Sequence, residues 1–184
     1  MASDIETGNA RRRNRWSLAI WGTAAVLLSL PAIAMQLEVT GVVWGPEDLI
    51  VMGILFAIAC GSYEVIARIS SNTAYRAASA IAIVTAFLTV WVNLAVGMLG
   101  DEGNPANLWF GGVLLVAMAG VILAGFRARG MARAMEAAAL GQALMVVYAL
   151  VAGYAEVALF IGFFVLPWLL SAQLFKKAAG ESAA

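Results

Sequence analysis

Apolar residues occupy this chain in six long blocks, each continuous in hydrophobicity rather than alternating; short polar breaks separate the first five, and the last two meet at Tyr154-Ala155-Glu156. The blocks cover residues 16–36, 47–68, 76–100, 106–126, 131–154 and 156–175. A helix rising 1.5 Å per residue needs about 20 apolar residues to cross the hydrocarbon of a bilayer, and every block meets that length. Continuous runs argue against a transmembrane barrel, whose strands alternate lipid-facing and lumen-facing side chains. The pattern therefore predicts an all-α polytopic membrane protein with six transmembrane helices arranged as three hairpins.

Charge adds an orientation. All eleven Lys and Arg residues fall in four clusters: Arg11, Arg12, Arg13 and Arg15; Arg68 and Arg76; Arg127, Arg129 and Arg133; Lys176 and Lys177. Two apolar blocks lie between successive clusters, so one side of the membrane receives every positive residue, as cytoplasmic loops do. Both termini are then cytoplasmic: a basic tail over residues 1–15, a bundle over 16–175 and a short tail over 176–184. The opposite rim carries Glu38, Glu47, Asp48, Asp101, Glu102 and Glu156 and no positive residue. Met1 to Ala10 and Gly180 to Ala184, mostly polar or small, predict disorder at both ends. A competing reading of the first block is a cleavable signal peptide, with basic residues, an apolar stretch from Leu18 to Leu30, then Pro31 and the small residues Ala32 and Ala34. Its removal leaves five spans in the same orientation. The second and third hairpins share an Arg-containing turn followed by an Ala-rich helix, a pattern that any two such helices would produce.

Composition agrees and narrows the chemistry. The chain is 63% hydrophobic and 12% charged over 184 residues, with a mean hydropathy of +0.90. Soluble domains carry roughly 25% charged residues, so the bilayer is the expected environment. Formal net charge is zero, giving no general attraction to nucleic acid. Histidine is absent and Cys60 is the single cysteine, which excludes His-ligated haem, His-based zinc, a His general base and an intrachain disulfide. No phosphate-cradling glycine loop or dinucleotide fingerprint occurs, and no cofactor is expected. Gly111, Gly112, Gly120 and Gly125 form a possible close-approach face on the fourth helix instead.

Polar groups within spans are the best pointers to function, because a charge at mid-bilayer costs about 2.5 kcal/mol or more. Glu64 lies one turn before Arg68 and Glu136 three residues after Arg133, spacings that suit ion pairs along one helix. Asn93 and Gln142 are placed deeper. Asn93 lies about 10 Å below the outer end of a third helix running to Gly100. Both amides read as interhelical hydrogen-bonding groups, with each other among the possible partners. Pro167 predicts a kink in the last span.

The most distinctive stretch is NLAVGMLGDEGNPANLW, residues 93–109. Asn104 precedes Pro105, a residue suited to the first position of a helix, and is placed to cap it. The stretch has two readings: a hairpin turn with an acidic rim, or an outer polar site. In the second, Asp101 and Glu102 join the amides of Asn93, Asn104 and Asn107 as hard oxygen donors for a cation or a cationic substrate, although no calcium-loop spacing is present. No metal ligand set is assigned.

The stretches WVNLAVGMLGDEGNPANL and RARGMARAMEAAALGQAL resemble the signature of an uncharacterised family of small multi-pass inner-membrane proteins from bacteria, chiefly proteobacteria. The resemblance covers about residues 75–150 and implies an inner-membrane location, without implying an activity. Three functions are compatible with the sequence, in this order: a structural or accessory protein acting by self-association or with a membrane partner; a small-solute or ion transporter with the acidic, Asn-rich loop at its outer mouth; and a membrane-bound enzyme acting on lipid.

Overall fold

A computed structural model describes the backbone of residues 2–40 and 42–181 and the side chains of that set from Ser17 onward. The basic cluster of Arg11 to Arg15 and Trp16 thus lie outside the described side chains. Seven α-helices follow one another: α1 (Ala2–Gln36), α2 (Pro46–Ile69), α3 (Thr73–Ala95), α4 (Leu108–Ala124), α5 (Ala128–Val151), α6 (Ala155–Phe163) and α7 (Val165–Glu181), with a 3₁₀ turn over Pro105–Asn107 before α4. Six segments are long and apolar enough to cross a membrane, the last formed by α6 and α7 together. The protein is an all-helical, multi-pass membrane protein among the described residues.

Several element ends differ from the sequence expectation. Helix α1 begins at Ala2 and α7 runs to Glu181, so helix continues into both tails that were expected to be disordered. Once a span has nucleated a helix, each further residue adds a hydrogen bond without a new nucleation cost. Helix α1 also continues through Pro31 to Gln36. Helix α3 stops at Ala95, five residues before Gly100, because the backbone turns at Gly97, whose φ is +70°. A Cβ there would lie 2.3 Å from the Asp101 carbonyl oxygen, so only glycine fits. Asn93 is consequently two residues, or about 3 Å, from the end of its helix rather than 10 Å.

The kink expected at Pro167 is a full break. Helix α6 ends at Phe163 and α7 starts at Val165, with Pro167 in the first turn of α7. Proline lacks the N–H that would bond the carbonyl four residues back, and its ring crowds that carbonyl, here Phe163, so the discontinuity falls one turn ahead of it.

The chain divides into two compact units, residues 1–64 and 65–184. In the first, α1 and α2 meet at Glu64: Ser17 Oγ donates to Glu64 Oε1, and Trp21 Nε1 donates to the same oxygen at 3.0 Å. Leu28 packs over Gly53 farther along the pair.

The second unit holds the main core, built where α5 packs on α4, α6 and α7, and α7 on α3. Small residues set how closely α4 and α5 approach. A Cβ on Gly120 would lie 2.6 Å from Ala134 Cβ, and one on Gly130 would lie 2.6 Å from Ala124 Cβ. Gly141 faces Val113 in the same antiparallel register, which is symmetric about Arg127. Gly120 therefore belongs to the internal contact of α4, whereas Gly111 and Gly112 have open space where a side chain would project. Larger side chains fill the rest: Phe110, Met135, Ile161, Trp168 and Phe175 are fully buried.

At one end of this unit three basic clusters come together. Arg76 donates to carbonyls at the end of α2 and just past it, Nη2 to Ala67 O at 2.5 Å and Nε to Ser70 O at 2.6 Å. Tyr75 Oη donates to Phe126 O at 2.8 Å, beside Arg127, and its ring meets Phe175 edge-on at 5.0 Å, beside Lys176. Cationic side chains near helix C-termini complement the partial negative charge of the unbonded carbonyls.

Candidate functional site

The loop between α3 and α4 starts with apolar residues that fold back into the bundle. Met98 and Leu99 are buried, and their backbone N–H groups are out of reach of helical carbonyls. Asn107 supplies the acceptor. Its Oδ1 receives both N–H groups, from Met98 at 3.0 Å and Leu99 at 2.9 Å, while its Nδ2 donates to Asp101 O at 2.7 Å. The side chain thereby replaces the hydrogen-bonding partners that the end of α3 withdrew, as any buried backbone requires.

Asn104 acts one turn earlier. Its Oδ1 accepts from Ala106 N at 3.0 Å, capping the 3₁₀ turn that Pro105 begins. Its Nδ2 donates to Tyr154 Oη at 2.8 Å, tying the loop to the residue before α6. The side-chain oxygens of Asn104 and Asn107 thus both accept backbone N–H groups, and both Nδ2 groups donate within the protein. Asp101 and Glu102 are exposed at the tip, and Asn93 is separate from this network. Among the described residues no group of three or more His, Cys, Asp and Glu side chains is arranged to hold a metal ion. Of the five residues of the outer site, the structure brings Asn104 and Asn107 together around the Asp101 backbone, and uses both amides to build the loop.

Asn93 bonds within its own helix rather than across to Gln142. Its Nδ2 donates to Thr89 O at 2.7 Å. Ser79, Thr85 and Thr89 do the same, each hydroxyl donating to the carbonyl four residues back at 2.7 to 3.0 Å. Such back-bonding satisfies a hydroxyl in an apolar setting at no cost in tertiary partners. The Asn93 Oδ1 is buried without a hydrogen-bond partner.

Gln142 is wholly buried on α5, and its Nε2 donates to Ile161 O at 3.2 Å. That carbonyl lies in the last turn of α6 and also accepts from Phe164 N at 3.2 Å, so Gln142 uses its second lone pair. Gln142 is thus an interhelical clasp on the broken span. Its Oε1 and the Nε1 of Trp168 are buried with no partner in the protein. On the same span, Ser171 Oγ donates to Ala78 O at 2.8 Å and joins α7 to α3.

The two acids singled out at the basic end are held by residues distant in sequence. Glu136 Oε1 lies 2.5 Å from Lys176 Nζ, so its ion pair joins α5 to α7, where the spacing had pointed to Arg133 on the same helix. Arg133 itself is exposed. Glu64 accepts from Ser17 and Trp21 of α1, partners that spacing along α2 could not suggest, and Arg68 lies in the last turn of α2. A tryptophan one turn after a serine, facing an in-span carboxylate, was the signal available for this pairing.

The chain matches no protein-family model, no curated protein and no solved structure.

Proposed function

We propose that this is a multi-pass protein of the bacterial inner membrane, of the kind its signature stretches resemble, acting through helix–helix association with a second copy or another membrane protein. The observation carrying this reading is the outward face of α4. Leu108, Leu115 and Ile122 are exposed there, and Gly111 and Gly112 have no neighbour where a side chain would project. Small residues among leucines let a second helix approach closely, the usual means of association where lipid removes the hydrophobic drive. The inward face of the same helix is committed to α5 through Gly120 and Ala124. The polar side chains within the spans support the same reading, because Gln142, Ser171 and the hydroxyls of α3 all bond to the bundle's own backbone.

The basic clusters support an orientation with both termini in the cytoplasm under the positive-inside rule. Alkaline phosphatase fused after Glu102 is then active, and after Arg129 inactive; the reverse pattern refutes the orientation. For association, cysteine is placed singly at Leu108, Leu115, Ile122 or Leu150 in a Cys60→Ala background and oxidised in native membranes. Crosslinked dimer or mixed adduct forms from the three α4 positions and not from Leu150, which is exposed on α5. Equal yields at all four positions overturn the reading.

A further inference from the structure

The break between α6 and α7 leaves a groove of about 550 Å³ against α3. Ala80, Val84 and Leu88 form one wall, and Phe163, Pro167 and Leu170 the other. Thr85 contributes the hydroxyl of the lining, and that hydroxyl already donates to Ile81 O at 2.7 Å. The walls ask for no hydrogen bond from whatever fills them, and burying a polar group there without a partner costs several kcal/mol. Hydrocarbon fits this chemistry. The length fits as well: from Ala80 to Leu88 the helix rises eight steps, about 12 Å, close to one leaflet of a hydrocarbon core about 30 Å thick.

One end of the groove points to the basic rim. Lys177 falls seven residues after Leu170 and eleven after Leu166, two and three helical turns, so it lies on the groove face of α7 about 10 Å beyond Leu170. Its neighbour Lys176 turns to Glu136 on α5 instead. Arg76 sits one turn before Ala80 and donates to neutral backbone carbonyls. The rim already receives one oxyanion. Glu181 Oε2 accepts from Asn72 Nδ2 at 2.9 Å, and Glu181 Oε1 lies 3.9 Å from Lys177 Nζ.

We infer that this groove binds one acyl chain of an anionic phospholipid, whose phosphate sits at the rim beside Lys177 and Arg76. Basic pockets between membrane helices are established headgroup sites in general, and each cation near an anionic lipid surface contributes about 1 kcal/mol. Glu181 then competes with the phosphate for Lys177. The inference depends on membrane residence and not on the association proposed for α4.

The test is native mass spectrometry of the full chain released from detergent micelles with phosphatidylglycerol or phosphatidylcholine of identical acyl chains. The wild type retains one phosphatidylglycerol at collision energies that strip phosphatidylcholine. Lys177→Gln lowers phosphatidylglycerol retention roughly fivefold, the factor that one cation's interaction corresponds to, and leaves phosphatidylcholine unchanged. Glu181→Gln raises it. Ala80→Phe fills the groove and removes the retained lipid, whereas Leu115→Phe on α4 does not. Equal retention of both lipids by the wild type, or unchanged phosphatidylglycerol retention in Lys177→Gln, overturns the inference. Those two readings remain decisive even if Ala80→Phe fails to fold, because Lys177 is a largely exposed side chain.

Discussion

Replacing Asn107 with alanine tests whether the loop between α3 and α4 is built by one side chain. The substitution removes the acceptor of two buried backbone N–H groups, Met98 at 3.0 Å and Leu99 at 2.9 Å, and the donor to Asp101 O at 2.7 Å. An unsatisfied buried group costs about 1–3 kcal/mol, and two lose their acceptor at once. The Asp101 carbonyl keeps a bond from Asn104 N at 3.2 Å and adds little. Because the loop tip is exposed and water reaches part of it, the lower half of the range applies, giving a loss of about 3 kcal/mol. At about 2–4 °C per kcal/mol for a chain of this size, the apparent melting temperature in micelles falls by roughly 6–12 °C. Hydrogen exchange supplies the local readout: the Met98 and Leu99 amides lose roughly two decades of protection, the factor that 3 kcal/mol represents at about 1.4 kcal/mol per decade. Asn107→Asp is intermediate, because it keeps the acceptor and loses the donor. If Asn107→Ala melts within a degree of wild type and its Met98 and Leu99 amides stay protected, the loop is held by apolar burial and the hydrogen-bond argument fails.

Three other outcomes follow from the packing and the charges. Gly120→Val pushes a side chain into Ala134, where a Cβ alone would come within 2.6 Å, and destabilises by about 1–3 kcal/mol in denaturant titration; an unchanged midpoint contradicts the close approach of α4 and α5. Gln142→Leu costs less than about 1 kcal/mol, since it loses one interhelical bond and also removes a buried oxygen that has no partner, while Gln142→Ala opens a cavity and costs more; the reverse ranking in melting experiments refutes the clasp. A double-mutant cycle on Glu136 and Lys176, whose side chains are about half exposed, gives a coupling of about 0.2–1 kcal/mol that shrinks in high salt, and a coupling indifferent to salt rules out the ion pair.

The six spans were legible because membrane helices announce themselves by continuous hydropathy, and α1 to α5 start within a few residues of the expected blocks except where α1 extends into the tail. The end of α3 was hidden by the same signal. Val96, Met98 and Leu99 are as apolar as the helix before them, so hydropathy ran on to Gly100 although the backbone had already turned at Gly97. Asn107 was read as one oxygen donor of a possible outer site, but its bonds go to backbone groups eight and nine residues back, and backbone partners leave no pattern in the side chains. For Glu136, local spacing offered Arg133 while the fold supplied Lys176, forty residues away. Local spacing is informative where a helix pairs with itself, as Asn93 and the hydroxyls of α3 do. It misleads where two helices are brought together by their apolar faces.

The three-residue turn between α4 and α5 bears on how the protein is made. Gly125 ends α4 in a left-handed conformation, and α5 resumes at Ala128, so neither helix can move far from the other once both exist. Their contact is made of Gly120, Ala124, Gly130 and Ala134, residues that offer little apolar area individually and gain their contacts only when the helices lie side by side. The close packing of this pair is therefore gained only once α5 follows α4 out of the ribosome, so α4 spends the start of its life with its glycine face against lipid or another neighbour.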